Sequence, residues 1–263
     1  MTKLQVVGGG RMGEALVAGL LDAGWAAPAE MAIVERIDAR RAELDGRFPG
    51  VAILADVAPA DAAIVAVKPG DVDDACKELA LAGVARVLSI AAGVTTAALE
   101  AALGEGTTVV RAMPNTPAVV GFGASAICGG ASADDDDLAW ATSILEAVGV
   151  VVRVTEAQLD AVTGLSGSGP AYIFLIAETL IEAGVLMGLS REVAEVLAVQ
   201  TIRGSGELLQ SSDDHAAALR AAVTSPGGTT AAGLHQLELG GVRGAFLSAV
   251  QAATERSRAL GLS

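Results

Sequence analysis

Apolar residues fall into two regimes along this chain. Up to about residue 155 they come in short runs, and the runs at 3–7 (KLQVV), 31–34 (MAIV), 51–54 (VAIL), 62–67 (AAIVAV), 86–90 (RVLSI), 107–111 (TTVVR), 123–128 (GASAIC) and 150–154 (VVVRV) predict strands. Helical spacing fills the gaps over 14–23, 38–46, about 71–82, 96–103 and 134–148. Such alternation predicts a mostly parallel sheet covered on both faces. Ligands of such sheets sit at the carboxyl ends of the strands. Three loops fall there: Val67-Lys68-Pro69, Ala91-Ala92-Gly93 and Met113-Pro114-Asn115.

From about residue 156 the strand signals stop. Helices are predicted over 170–187, 191–209, 215–223, 229–239 and 242–260, the first opened by Pro170 after Ser168 and Gly169. That first helix carries Ile173, Ile176 and Leu180 on one face and Phe174, Ile181 and Val185 on others. A helix apolar all round must be buried. The short helical region has little room to hide it, so a second copy of the chain is expected to cover it.

With 263 residues, 52% of them hydrophobic, the chain can build one large core or two smaller ones. Aromatics make up only 3%, so Ala, Val, Leu and Ile must fill that core. The net charge of −14 speaks against nucleic acid, which needs a basic footprint, and gives no support for an anionic membrane surface. No charge-free apolar run approaches a bilayer span, and no signal peptide opens the chain. Two cysteines, Cys76 and Cys128, make no disulfide framework and read as reduced core thiols of a cytoplasmic protein. The acidic run at 134–137 follows Ser132, a candidate N-cap, and reads as a solvated helix start rather than a metal site.

The first strand runs directly into Gly8-x-Gly10-x-x-Gly13, with Arg11 and Met12 between the last two glycines. In a strand–turn–helix setting Gly8 allows the tight turn, Gly10 admits a pyrophosphate and Gly13 lets helix and strand pack closely. The motif alone is weak. It gains weight because the second strand ends in Glu35, 22 residues past Gly13, where an acid can take the hydroxyls of an adenosine ribose. Near the other end, VTSPGGTT at 223–230 sets a turn before a helix. Gly227 and Gly228 let the backbone approach a ligand, and Thr229 and Thr230 put hydroxyls at a helix N-terminus suited to a small carboxylate. A well-capped helix start is the plainer reading of that loop taken alone.

Taken together, GGGRMG at 8–13, AVKP at 66–69, SIAAG at 89–93, RAMPNTP at 111–117, DAVTGLSGSGPAY at 160–172 and VTSPGGTT at 223–230 resemble, in order and spacing, the pyrroline-5-carboxylate reductase family. The likeness covers nearly the whole chain, and the last two segments are its specific ones. It implies an α/β fold: an N-terminal Rossmann-like, doubly wound sheet over 1–155 and a C-terminal all-α substrate-binding and dimerisation domain over 156–263. It implies reduction of 1-pyrroline-5-carboxylate to L-proline with NADPH or NADH, by a homodimer that in some members assembles into a ring of dimers. Residue by residue, Gly8, Gly10, Arg11, Met12 and Gly13 match the diphosphate loop. Ala66, Val67, Lys68 and Pro69 match a cofactor-lining segment, and Ala91, Ala92 and Gly93 the segment beside the nicotinamide. Val223, Gly228, Thr229 and Thr230 match the substrate pocket, Thr230 being the residue proposed to bond the substrate nitrogen. Asn115 lies in a matching motif without an assigned contact.

One departure concerns the coenzyme. Where many members carry small or hydroxyl residues for the 2′-phosphate of NADPH, this chain has Glu35-Arg36, with Arg40 and Arg41 a turn later. Glu35 would repel that phosphate and Arg36 would attract it. The family leans the expectation to NADP(H), with NAD(H) as the alternative.

Little proton machinery is on offer. His215 and His235 read as structural or solvated, no metal site is expected, and Lys68 reads either as an acid or as a residue ordering its loop. Two rivals stay open here. A two-domain NAD(P)-dependent reductase of another imine or keto acid shares the layout, although keto-acid reductases usually want a lysine in the helical half, and 156–263 has none. A non-catalytic nucleotide-sensing protein on the same scaffold is the other.

Overall fold

The computed structural model describes residues 2–261, so residues 1, 262 and 263, the outer limits of the two expected domains, lie outside the described residues. In chain order the elements are β1 (Thr2–Val7), α1 (Arg11–Asp22), β2 (Met31–Val34), α2 (Asp38–Arg47), β3 (Ala52–Leu54), β4 (Ala60–Val65), α3 (Val72–Leu81), β5 (Arg86–Ser89), α4 (Thr96–Leu103), β6 (Thr108–Met113), β7 (Gly123–Gly129), α5 (Asp135–Leu145) and β8 (Gly149–Arg153). Helices α6 (Leu159–Val162), α7 (Gly169–Leu186), α8 (Arg191–Ser211), α9 (Ala216–Ala222), α10 (Thr229–Leu239) and α11 (Val242–Gly261) follow.

The eight strands form one sheet in the order β3-β2-β1-β4-β5-β6-β7-β8. Pairing is parallel throughout except between β6 and β7. No crossover helix separates those two, only the single turn Thr116–Val120, and so short a link can only reverse the chain. The order changes direction between β1 and β4, which opens a crevice at their carboxyl ends. One face of the sheet packs Val6, Ile33, Ile64 and Leu88 against Leu16, Val17 and Leu20 of α1 and Ile144 and Leu145 of α5. The other packs Val7, Val65 and Val87 against Cys76 and Leu79 of α3 and Leu99 of α4.

Three local expectations are corrected. The cap of α5 is Asp134, not Ser132: its carboxylate accepts from Asp137 N–H at 3.0 Å while Asp137 Oδ2 accepts from Asp134 N–H at 3.2 Å. Reciprocal bonds of this kind satisfy two donors at once, which a lone serine further out cannot. The acidic run is also not uniformly solvated. Asp137 is buried, held at 2.6 Å by Arg86 Nε, whose guanidinium stacks over Trp140. The helix after the glycines starts at Arg11, three residues earlier than its apolar spacing suggests.

Contacts divide the chain into two units, Met1–Ser168 with Gln251–Ser263, and Gly169–Val250. Within the second, α7 and α8 approach closely where a Cβ on Gly184 would stand 2.9 Å from Ala194 Cβ. Of the apolar residues there, Ala194 and Ala198 are buried, while Phe174, Leu175, Leu186, Val196 and Leu247 stand exposed. Helix α7, expected to need cover all round, has no fully buried residue within its own chain.

Candidate active site

The turn after β1 places a steric demand on two of its three glycines. Gly8 has φ of +109°, and a Cβ there would sit 2.7 Å from Ala66 O, so β1 and β4 could not close up with any side chain at this position. A Cβ on Gly13 would collide with Gly8 O, which sets how near α1 lies to the turn. Gly10 meets nothing within 4 Å, and as the N-cap of α1 it brings no side-chain acceptor. No side chain caps the first N–H groups of α1, and the positive end of the helix dipole stands behind them. Those are the needs of a bound diphosphate, and a dinucleotide fits this cradle.

Beside the turn lies a cavity of about 360 Å³ lined by Gly8, Gly10, Glu35, Arg36 and Lys68, with Ala75 and Glu78 of α3 and its N-cap Asp71 forming the α3 wall. Glu35 is fixed by backbone donors: Gly9 N–H at 3.2 Å and Ile37 N–H at 2.9 Å. Arg36 reaches across to Glu78 at 2.5 Å. Arg40 and Arg41 are turned to structural work. Arg40 donates to Gly9 O at 2.9 Å and pairs with Glu14 of α1, while Arg41 donates to Glu35 O and Arg36 O and pairs with Asp38.

Ala66 and Val67 are shared with a second cavity of about 290 Å³ over the ends of β5 and β6, lined also by Met12, Ala91, Ala92, Met113 and Asn115. Its floor is braced by the chain that follows β8. Ser168 N–H bonds Thr163 O at 2.8 Å, five residues back, so Thr163–Gly167 forms a wide turn. That turn brings Gly167 so near that a Cβ there would stand 2.6 Å from Met113 Cε. Asn115 is fully engaged in this brace, donating to Ser166 O at 3.0 Å and accepting from Ala124 N–H at 2.8 Å. Arg11, Gly13, Pro69 and Gly93 lie beside the cavities rather than lining them. Pro69 opens a single turn before α3, and Gly93 (φ +79°) abuts the last turn of α11, where a Cβ on Gly261 would come within 3.1 Å of Gly93 O.

In the second unit, Gly228 N–H bonds Ser225 O at 3.0 Å, with Pro226 and left-handed Gly227 (φ +69°) between them. Pro followed by a positive-φ glycine is the requirement of a type II turn. Gly228 then caps α10 without a side-chain acceptor, so Thr229 and Thr230 open a helix whose first donors are not taken by a cap. Thr229 is exposed and Thr230 half-buried. Val223 closes α9 and is exposed. His215 has structural work, its Nδ1 accepting from Ala218 N–H at 3.1 Å to cap α9. Among the described residues no three of His, Cys, Asp or Glu gather as metal ligands. Burial pushes the Cys76 and Cys128 thiols up to about 11, as expected of inert core thiols.

Residues 156–260 match the family model for pyrroline-5-carboxylate reductase dimerisation, and residues 3–93 match that for coenzyme F420-dependent NADP oxidoreductases. A pyrroline-5-carboxylate reductase of Mycobacterium tuberculosis (strain ATCC 25618 / H37Rv) is 44% identical, over 99% of this chain and 97% of its own. The chain belongs to the pyrroline-5-carboxylate reductase family. The solved pyrroline-5-carboxylate reductase of Coxiella burnetii superposes with a TM-score of 0.91 at 38% identity, covering 98% of both chains. That of Plasmodium falciparum, solved with NADP bound, gives 0.87 at 32% identity over 99% of this chain and 98% of its own. The fold is thus the expected one: a Rossmann-like doubly wound sheet followed by the family's helical dimerisation domain.

Sequence reasoning missed the α3 wall. Asp71, Ala75 and Glu78 recur at helical spacing on one face, but that face reads as ordinary surface until the sheet order sets it opposite Glu35 and Arg36.

Proposed function

We propose that this chain reduces the C=N bond of 1-pyrroline-5-carboxylate to give L-proline, taking hydride from NADPH by preference and from NADH as the alternative. The observation that carries this reading is the cradle at Gly10, open and free of any side-chain cap, in a chain of this family. Gly8, Gly10, Arg11, Met12 and Gly13 hold the diphosphate. Glu35 and Arg36 face the adenosine ribose. Ala66, Val67, Lys68 and Pro69, with Ala91, Ala92 and Gly93, line the way to the nicotinamide.

A protonated cyclic imine is already a good electrophile, so positioning supplies most of the catalysis. Backbone N–H groups around Gly227, Gly228 and Thr229 hold the substrate carboxylate, with Val223 at the pocket edge. The Thr230 hydroxyl bonds the ring nitrogen and fixes which face of the imine carbon is offered. The reduced nicotinamide, when bound, supplies the hydride.

The two domains meet at 155/156, and the helical one joins two copies into a cytoplasmic homodimer that can close further into a ring of dimers. The exposed apolar faces of α7 and α8 support the dimer. The test is a parallel assay of pyrroline-5-carboxylate with NADPH and NADH, followed by the absorbance of reduced nicotinamide. Turnover with either coenzyme bears the reading out. Coenzyme binding without oxidation by this imine would leave a nucleotide sensor or a reductase of another substrate.

A further inference from the structure

Five charged residues, Glu35, Arg36, Lys68, Asp71 and Glu78, line the 360 Å³ cavity, and their pairing is uneven. Glu35 already accepts two backbone N–H groups, from Gly9 and Ile37, and its carboxylate is held by the turn rather than by Arg36. The Arg36 guanidinium, 62% exposed, makes its ion pair instead with Glu78, 38% exposed, on the opposite wall. Lys68 lines the same cavity. Arg40 and Arg41 are occupied by Glu14, Glu43 and Asp38 and by backbone carbonyls of the turn.

We propose that Glu78 is a specificity-determining residue for the coenzyme, setting how much of Arg36 is available to a 2′-phosphate. The proposal rests on the coenzyme reading given above. A 2′-phosphate brings negative charge to the one arginine that faces the cavity, and to bind it must draw Arg36 away from Glu78 and sit near that carboxylate's field. A ribose 2′-hydroxyl brings no charge, so it neither competes for Arg36 nor feels the repulsion. It can use the anchored Glu35 carboxylate as acceptor whatever Arg36 does. Glu78 thus handicaps the phosphorylated coenzyme selectively, and Arg36 carries that effect.

Binding of NADP+ and of NAD+, each titrated calorimetrically without substrate, tests this on the parent chain, Glu78→Gln, Arg36→Met and the double variant. Glu78→Gln should tighten NADP+ by about tenfold and shift NAD+ by less than about twofold, the scale of one charge-assisted contact. Arg36→Met should weaken NADP+, and in that background Glu78→Gln should lose most of its effect. The gain should shrink as salt rises, because the groups are exposed. Equal shifts for both coenzymes, no shift for either, or a gain that persists without Arg36 would overturn the role of Glu78 while leaving the reductase reading intact. Failure of both coenzymes to bind the parent chain would overturn the reductase reading and this proposal with it.

Discussion

Glu156 and Thr96, 60 residues apart, are locked together at both carboxylate oxygens: Oε1 accepts from Thr96 N–H at 2.7 Å and Oε2 accepts from the Thr96 hydroxyl at 2.8 Å. The same Oε1 takes Arg111 Nη1 at 2.9 Å. The first residue of the matched dimerisation segment therefore satisfies the first N–H of α4, beside the Thr95 N-cap, and α4 follows directly on the loop carrying Ala91, Ala92 and Gly93.

Burial pushes the Glu156 carboxyl up, but the Thr96 bonds and the Arg111 guanidinium outweigh it and hold the group below its usual range. A depressed folded value means a contribution that is full above the unfolded value, about 4.3, and is lost as pH falls through the lower folded one. Glu156→Gln should lower stability at neutral pH by roughly 1.5–3 kcal/mol, the scale of hydrogen bonds to a charged group. In thermal melts, the gap between parent and variant should narrow as pH drops below about 4.3. A gap constant across that window would mean the charge contributes nothing.

Gly10 and Gly13 separate binding from folding. Gly10 has φ −71° and ψ −177°, which alanine adopts freely, and its Cβ would meet nothing within 4 Å. Gly10→Ala should leave the melting temperature unchanged while weakening coenzyme binding by at least about tenfold, near 1.4 kcal/mol. Gly13→Ala instead drives a methyl against Gly8 O and to 3.2 Å from Val6 Cγ1. It should cost about 1–3 kcal/mol of stability, the range for overpacking, with coenzyme binding falling as a consequence. Melting and coenzyme titration on the two variants should show this asymmetry, and equal loss of stability would remove it.

The central strands were legible because each carries an apolar run that a sheet buried on two sides can absorb, and the glycine loop because Gly8 and Gly13 each answer a steric demand. What escaped the sequence depends on partners distant in the chain. The start of α1 was missed because Gly10 caps without a side chain, so no serine or aspartate marks it. The cap at Asp134 depends on a reply from Asp137 that spacing permits but does not require. The wide turn at Thr163–Gly167 leaves no periodic trace, since its wider hydrogen bonding changes the register of a helix without changing its composition. Glu78 needed the sheet order before its side of α3 could be placed opposite Arg36.

Thr230 is half-buried where Thr229 is exposed, and both stand in the first turn of α10 behind the Gly228 cap. Thr230→Ala should lower kcat/KM by about tenfold to a hundredfold, the scale of one polar contact made to the reacting ring. Thr229→Ala should change kcat and KM little, since its backbone N–H, which survives the substitution, does the carboxylate binding. Steady-state kinetics on both variants, with melting curves to show intact folding, decide the matter. Unchanged kinetics in Thr230→Ala would take that hydroxyl out of the mechanism.

The apolar surface of α7 calls for a cover. The helical stretch Glu156–Leu186, 31 residues with a mean hydropathy of 1.4 in its most apolar window, is long and apolar enough to cross a bilayer by length and composition. A second copy offers a different cover, and two features favour it. Helix α8 exposes Val196, Leu197 and Val199 as well, so the bare surface spans more than one helix, and the segment matches a dimerisation domain. The chain should stay in solution without detergent and sediment as a dimer or a multiple of one. Phe174→Asp should dissociate it, because in a two-fold dimer the lost apolar side chain counts twice. At about 1.5–3 kcal/mol per buried side chain, the dimer Kd should rise by roughly a hundredfold or more. Sedimentation of both proteins across a concentration series provides the check. A parent chain that needs detergent, or a variant that sediments like the parent, would count against a second copy as the cover.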